Sequence, residues 1–138
     1  MKKIILAIGV IRRGDTILLR KKPNGSAPYK ESWYLFGGEL ESENQNPEKV
    51  LKETLKKQAG VDIKFINAIG QDAEIKPDHD GNITSYVYLD CLCEYVSGEL
   101  ILSEGIEKLE WAPISKLSNY DLVPPTRKLF IKLGYLSA

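Results

Sequence analysis

Residues 33–61, WYLFGGELESENQNPEKVLKETLKKQAGV, organise the rest of the chain. The first four are aromatic or apolar, as in a short buried strand, and Gly37-Gly38 predicts a turn where backbone can approach a ligand closely. An acidic loop follows, and Asn46-Pro47 predicts the start of a helix. The Asn side chain can accept from a free N–H of the first turn, and Pro at the next position loses no hydrogen bond there. Gly60 supplies the stop. At about 100° per residue, Val50, Leu51, Leu55 and Ala59 share one face of this helix, while Lys49, Lys52, Glu53 and Lys56 share the opposite one. Thr54, Lys57 and Gln58 fall together on a third sector, within and beside the apolar stripe.

The stretch resembles the signature box of the Nudix hydrolases, in which Gly, five residues, Glu and seven residues precede Arg-Glu-U-x-Glu-Glu-x-Gly-U, with U aliphatic. Gly37-Gly38, Leu40 and Glu41 match the opening, and Leu55, Gly60 and Val61 match the close, giving a degenerate box at about 38–61. Aligned back from Gly60-Val61, with one extra residue in the loop between Glu43 and Pro47, the helix carboxylates of the family fall on Thr54, Lys57 and Gln58. Without that insertion, Lys52-Glu53 sits on Arg-Glu and the acidic pair becomes Lys56 and Lys57. Both registers lose the pair. The first keeps Leu55, Ala59 and Val61 on apolar positions and is preferred.

In the family those carboxylates hold magnesium against a substrate diphosphate. Magnesium is a hard ion that takes carboxylate and water oxygens, and a hydroxyl, an amide and an ammonium replace them poorly. A positive side chain about 4 Å from the ion would cost on the order of several kcal/mol at an effective dielectric near 20. The resemblance therefore implies an α/β fold, a Nudix-type α/β/α sandwich with a mixed sheet flanked by helices, and a disabled metal site. No cofactor is expected. Magnesium or manganese enters only if other acids hold it.

The chain has 138 residues, consistent with one domain over 1–138, and no linker, repeat or low-complexity run. With 19 basic and 19 acidic residues it has no global field to draw it to nucleic acid or to an anionic membrane. No stretch approaches the ~20 apolar residues of a membrane span. The apolar run near the N-terminus is short and ends in Arg12-Arg13, so it predicts a strand rather than a signal sequence, and a cytoplasmic location is expected. Cys91 and Cys93 point the same way on a predicted strand, in poor geometry for a bridge, and are expected to be buried, reduced thiols.

Residues 3–12 and 16–22 form the opening hairpin, whose second strand ends in Arg20, Lys21 and Lys22. In Nudix domains such basic residues often face the cleft; the plainer account is a solvated strand end, and both stay open. Residues 23–32 are a loop by composition. After the helix, strands are expected over 61–70 and from 73 to 76, then a hairpin loop at 77–82 built on Asp80-Gly81. His79 in that loop is expected to be a solvated residue. Residues 84–96 alternate, with Val87, Leu89, Cys91 and Cys93 on one face and Tyr86, Tyr88, Asp90, Leu92 and Glu94 on the other. Core-edge packing of that second face is preferred to a cleft wall.

Residues 103–113 resemble a second Nudix landmark, an acidic loop leading to a strand that ends in Trp111, with a short helix at 114–117. Glu104 or Glu107 would match the loop acid that completes the metal site or acts as general base in active relatives. A last helix at 126–133, stopped by Gly134, is expected to cover the sheet opposite the first helix.

Three functions follow. The first is a Nudix-superfamily protein that binds a nucleotide or diphosphate-containing ligand without cleaving it, using Gly37, Gly38, Arg20, Lys22 and Lys57, since ammonium and guanidinium groups attract phosphate directly. The second is an active pyrophosphohydrolase using other acids, drawn from Glu39, Glu41, Glu43, Glu104 and Glu107, of which Glu41, Glu104 and Glu107 are the catalytic candidates. The third is a protein-interaction module; neutral charge and the lack of a basic, aromatic stripe argue against RNA. A homodimer is compatible with all three.

Overall fold

The computed structural model describes residues 1–23, 29–42 and 44–138. The elements in chain order are β1 (Lys2–Arg13), β2 (Thr16–Lys21), β3 (Trp33–Tyr34), β4 (Phe36–Leu40), α1 (Pro47–Ala59), β5 (Asp62–Pro77), β6 (Ile83–Ser97), β7 (Lys108–Pro113), a 3-10 helix (Ile114–Asn119) and α2 (Pro124–Lys132). The strands form a mixed, seven-stranded sheet in the order β3-β2-β1-β6-β5, with β4 added to β1 and β7 to β2.

β1 is the spine. One edge pairs with β6 in parallel from Lys2↔Thr84 to Arg12↔Glu94, and the other is divided between β4 and β2, both antiparallel. Its near-continuous apolar run follows from cover on both faces. Ile5, Ala7 and Ile11 pack with Val50, Leu51, Leu55 and Ala59 of α1, while Val10 packs with Leu129 and Phe130 of α2. The two helices thus lie on opposite sides of the sheet, which gives the expected three layers. Each fully buried aliphatic side chain contributes roughly 1.5–3 kcal/mol.

α1 forms as its sequence dictates. Asn46 is the N-cap, its Oδ1 accepting from the Glu48 N–H at 3.0 Å, Pro47 is the first helical residue, and Gly60 ends the helix in the left-handed region at φ 78°. Ile101 N–H then donates to the Ala59 carbonyl at 2.9 Å, so residues 99–102 are held against the helix end.

Several expectations change. Gly37 and Gly38 form no turn: they lie inside β4, opposite Ile8 and Ala7 of β1. Their lack of side chains serves packing, because a methyl on Gly38 would meet Val50 and Thr54 of α1. Instead of two strands after α1 there is one, β5, whose register against β6 shifts at Asp62/Ile63, Phe65/Asn67 and Ala68/Gly70. These bulges carry the strand past Gly70, where the sequence pattern falters. The short helix expected at 114–117 is a 3-10 helix running to Asn119. Asn24, Gly25, Ser26 and Pro28 of the predicted loop, and Glu43, lie outside the described residues.

Candidate functional site

Leu6 and Ile8 of β1 are only half-buried, unlike Val10, because α2 covers the far end of the strand and leaves these two open. Above them lies a cavity of about 480 Å³ between the sheet and the segment leading into α2. That segment is tied to the sheet by backbone bonds from Trp33 N–H to the Asp121 carbonyl and from Val123 N–H to the Trp33 carbonyl. Leu6, Ile8, Leu35, Val123, Pro125 and Leu129 make the apolar part of the wall. Tyr29, Tyr34 and Tyr88 supply aromatic surface, and Arg20, Lys22, Lys76, Lys128, Lys132, Asp72 and Asp90 supply charge. Of the tyrosine and acid face of β6, expected to be core-edge packing, Tyr88 and Asp90 line the cavity, whereas Tyr86 is buried with Ile4 and Leu92 packs against the core.

Arg20 and Lys22 alternate with Lys21 along β2, so both point to the cavity side of the strand. The Arg20 Nε donates to the Leu35 carbonyl at 3.1 Å, and its guanidinium lies 5.0 Å from the Phe36 ring centroid and 5.8 Å from that of Tyr34. Lys22 Nζ sits 5.0 Å above the Tyr34 ring. Burial lowers the pKa of Arg20, and burial together with the Arg20 charge lowers that of Lys22. Two cations desolvated side by side favour an anion between them, since a charge-assisted bond is stronger where water is excluded.

On the opposite wall, Lys76 lies 4.2 Å from the Tyr29 ring, 4.5 Å from that of Tyr86 and 5.6 Å from that of Tyr88. It donates to the Tyr29 and Tyr88 hydroxyls, and both hydroxyls also reach Glu74. Burial lowers its pKa despite Glu74 and Asp78. Asp72 is bonded to Lys128, which lowers its pKa. Asp90 differs: burial pushes its carboxyl up to about 6.

A second cleft, of about 400 Å³, adjoins the first and shares Arg20 and Lys22 with it. Lys57, Gln58, Ser103, Glu104, Gly105 and Ile106 complete its lining. Here Ser103 Oγ donates to the Gln58 carbonyl at 2.8 Å. The Gln58 side-chain Oε1 is buried with no hydrogen-bond partner among the described residues.

The residues singled out in the sequence are therefore divided. Arg20, Lys22, Lys57, Gln58 and Glu104 come together around the second cleft, and Gly37 lines the first. Thr54 packs instead on Gly38. Glu107 faces away, paired with Lys21 at 3.8 Å, and Glu41 lines neither cleft, its N–H donating to Gln45 Oε1 at 2.7 Å. The His79 side chain is 87% exposed, its Nδ1 3.0 Å from Asp78. Cys91 and Cys93 are buried free thiols. The hydroxyl, ammonium and amide that α1 offers do not fit magnesium, and among the described residues no three His, Cys, Asp or Glu side chains converge as a metal site. Asp72, Lys76, Asp90, Lys128 and Lys132 were missed as site residues. The available signal was a carboxylate, Asp90, at an inward position of a strand whose adjacent residues on that face, Tyr88 and Leu92, are aromatic and apolar.

No helix among the described residues is long and apolar enough to cross a membrane. A family model described as the NUDIX domain matches residues 3–133. The chain is similar in structure to a MutT NUDIX hydrolase from Burkholderia pseudomallei, with 22% identity, TM-score 0.68, and 93% of this chain and 95% of that one covered. It is also similar to a NUDIX hydrolase from Nitrosomonas europaea, at 15% identity and TM-score 0.69, covering 96% and 89%. A third similar structure is an ADP-ribose pyrophosphatase from Streptococcus suis, at 18% identity and TM-score 0.62, covering 98% and 94%. No curated protein matches the chain.

Proposed function

Since the chain belongs to the Nudix family, we propose that it binds a nucleotide or another diphosphate-containing ligand across the two joined clefts, without the magnesium-dependent hydrolysis usual in that family. The observation that carries this is the convergence of Arg20, Lys22 and Lys57 on one cleft, where Lys57 stands at a position that the family gives to a metal-binding carboxylate. An ammonium there holds phosphate oxygens directly and repels a divalent ion. Gln58, whose Oε1 has no hydrogen-bond partner among the described residues, lines the same cleft. The apolar and tyrosine-lined cavity gives the remainder of such a ligand a place to bury. The name of the similar ADP-ribose pyrophosphatase supports the ligand class.

The test is calorimetric titration of pyrophosphate, nucleoside diphosphates and ADP-ribose, once with magnesium and once with a chelator. Binding of equal strength in both conditions, with no cleavage of the diphosphate bond over hours, is expected. Affinity that appears only with magnesium would overturn the proposal.

Glu104 in the same cleft favours a second reading, an enzyme that cleaves the diphosphate with this acid as base or ligand. Turnover with manganese or magnesium that Glu104→Gln abolishes would establish it.

A further inference from the structure

A carboxyl group in the larger cavity with no role in what precedes is that of Asp90. In β6 it pairs in parallel register with Ile8 of β1 and in antiparallel register with Gly70 of β5, so it sits in the middle of the sheet. Only 6% of the residue is exposed, and it lines the cavity wall. Its side chain makes no hydrogen bond or ion pair with any described residue. The charged groups nearest to it are otherwise placed. Asp72 is held 3.0 Å from Lys128, and the Lys132 ammonium lies over Gly70, where a methyl group would meet it at 2.4 Å. Gly70 leaves room for that lysine, and Lys132 acts on Asp90 at a distance without bonding to it.

A carboxyl group that a bound ligand seals off from water without a donor costs about 1–3 kcal/mol or more, and a ligand that brings a donor avoids that loss. The Tyr88 hydroxyl, on the same face of β6, is engaged by Lys76 and Glu74 instead. Arg20 and Lys22, which border this cavity and the second cleft alike, mark where phosphates would sit, so the rest of the cavity, with Leu6, Ile8 and Leu129 in its wall, takes the uncharged part of the ligand.

We infer that Asp90 is a specificity-determining residue, and that the cavity selects a nucleoside diphosphate whose base carries an exocyclic amino group, the amine donating to the Asp90 carboxyl group. This rests on the nucleotide-binding function proposed above. A carbonyl at the same place on the base sets oxygen against oxygen, and a buried polar site left unpaired rejects such an analogue strongly.

Cytidine and uridine diphosphates differ in this way, as do adenosine and inosine diphosphates. In calorimetric titrations the wild-type protein is expected to bind the amino member of each pair at least tenfold more tightly. Asp90→Asn keeps the shape but offers a donor as well as an acceptor, so the preference should shrink to less than threefold. Asp90→Ser removes the carboxyl group and leaves a smaller polar side chain, and urea midpoints of both variants close to that of wild type check that the loss does not come from misfolding. Inorganic pyrophosphate should bind wild type and both variants alike. Pyrophosphate binding without discrimination between the bases, or discrimination that survives both substitutions, would overturn the assignment of Asp90 and leave the phosphate site standing. If neither pyrophosphate nor any nucleotide binds, the nucleotide-binding function fails first and this inference falls with it.

Discussion

Gly38 and Thr54 touch across the contact between β4 and α1: a methyl group on Gly38 would lie 2.6 Å from Thr54 Oγ1 and 2.5 Å from Val50 Cγ1. The helix therefore rests directly on strand backbone. Gly38→Ala should lower stability by about 1–3 kcal/mol, as overpacking does, and adding Thr54→Ala should recover part of that loss. Urea denaturation of both single variants and the double variant measures the coupling; simple additivity would separate the two residues.

Lys57 and Lys56 are neighbours in sequence with different surroundings. Lys57 lines the second cleft, while Lys56 lies 3.4 Å from Asp62 on the exposed side of α1. Lys57→Glu is expected to weaken pyrophosphate binding by about tenfold or more, the worth of one charge-assisted bond. Lys56→Glu should leave it unchanged. Equal losses from both would mean that pyrophosphate responds to overall charge and not to this cleft.

Asp78 is nearly enclosed, with Lys2 Nζ at 2.6 Å and the Tyr86 hydroxyl at 2.5 Å. The Lys2 bond first, and then that of Tyr86, hold its carboxyl well below the ordinary value of 3.8. Because the folded value is the lower one, this stabilisation is complete above the unfolded value and disappears as pH falls through the folded one. Denaturation midpoints of wild type and Asp78→Asn should differ at neutral pH and converge in acid. A constant gap down to the lowest pH would show that Asp78 acts through packing alone.

Burial pushes the Cys91 thiol up to about 11 and the Cys93 thiol to about 12. Thiolate is the reactive form, so both should resist a thiol-specific reagent at pH 8 in the folded protein and react at once in urea. Fast labelling of the native protein would place them outside the core.

What local chemistry decides was legible in the sequence. Asn46, Pro47 and Gly60 bound α1 with no help from the rest of the chain, and Val50, Leu51, Leu55 and Ala59 reveal its buried face through spacing alone. Gly37-Gly38 misled for a physical reason: glycine signals a turn by its backbone freedom, yet here it is required because a helix lies on the strand, a contact that spacing does not encode. The cavity was hidden for a related reason. Asp90 meets Ile8 through a parallel pairing between strands some eighty residues apart, and Lys132 arrives from the last helix. Each of these residues alone looks like ordinary surface charge.

The bulges of β5 leave the outer rim of the sheet uneven. Between Asp62 and Gly70 the backbone slips against β6 at three places, whereas from Gln71 to Pro77 the ladder runs without interruption. A copy of the chain seeking to extend the sheet by strand addition would find no straight template in the first half. At this edge, association of that kind is thereby confined to the short run from 71 to 77. There Glu74 and Lys76 are already engaged with each other and with Tyr29 and Tyr88 on the cavity face, and the exposed Ile75 is what an incoming strand would meet.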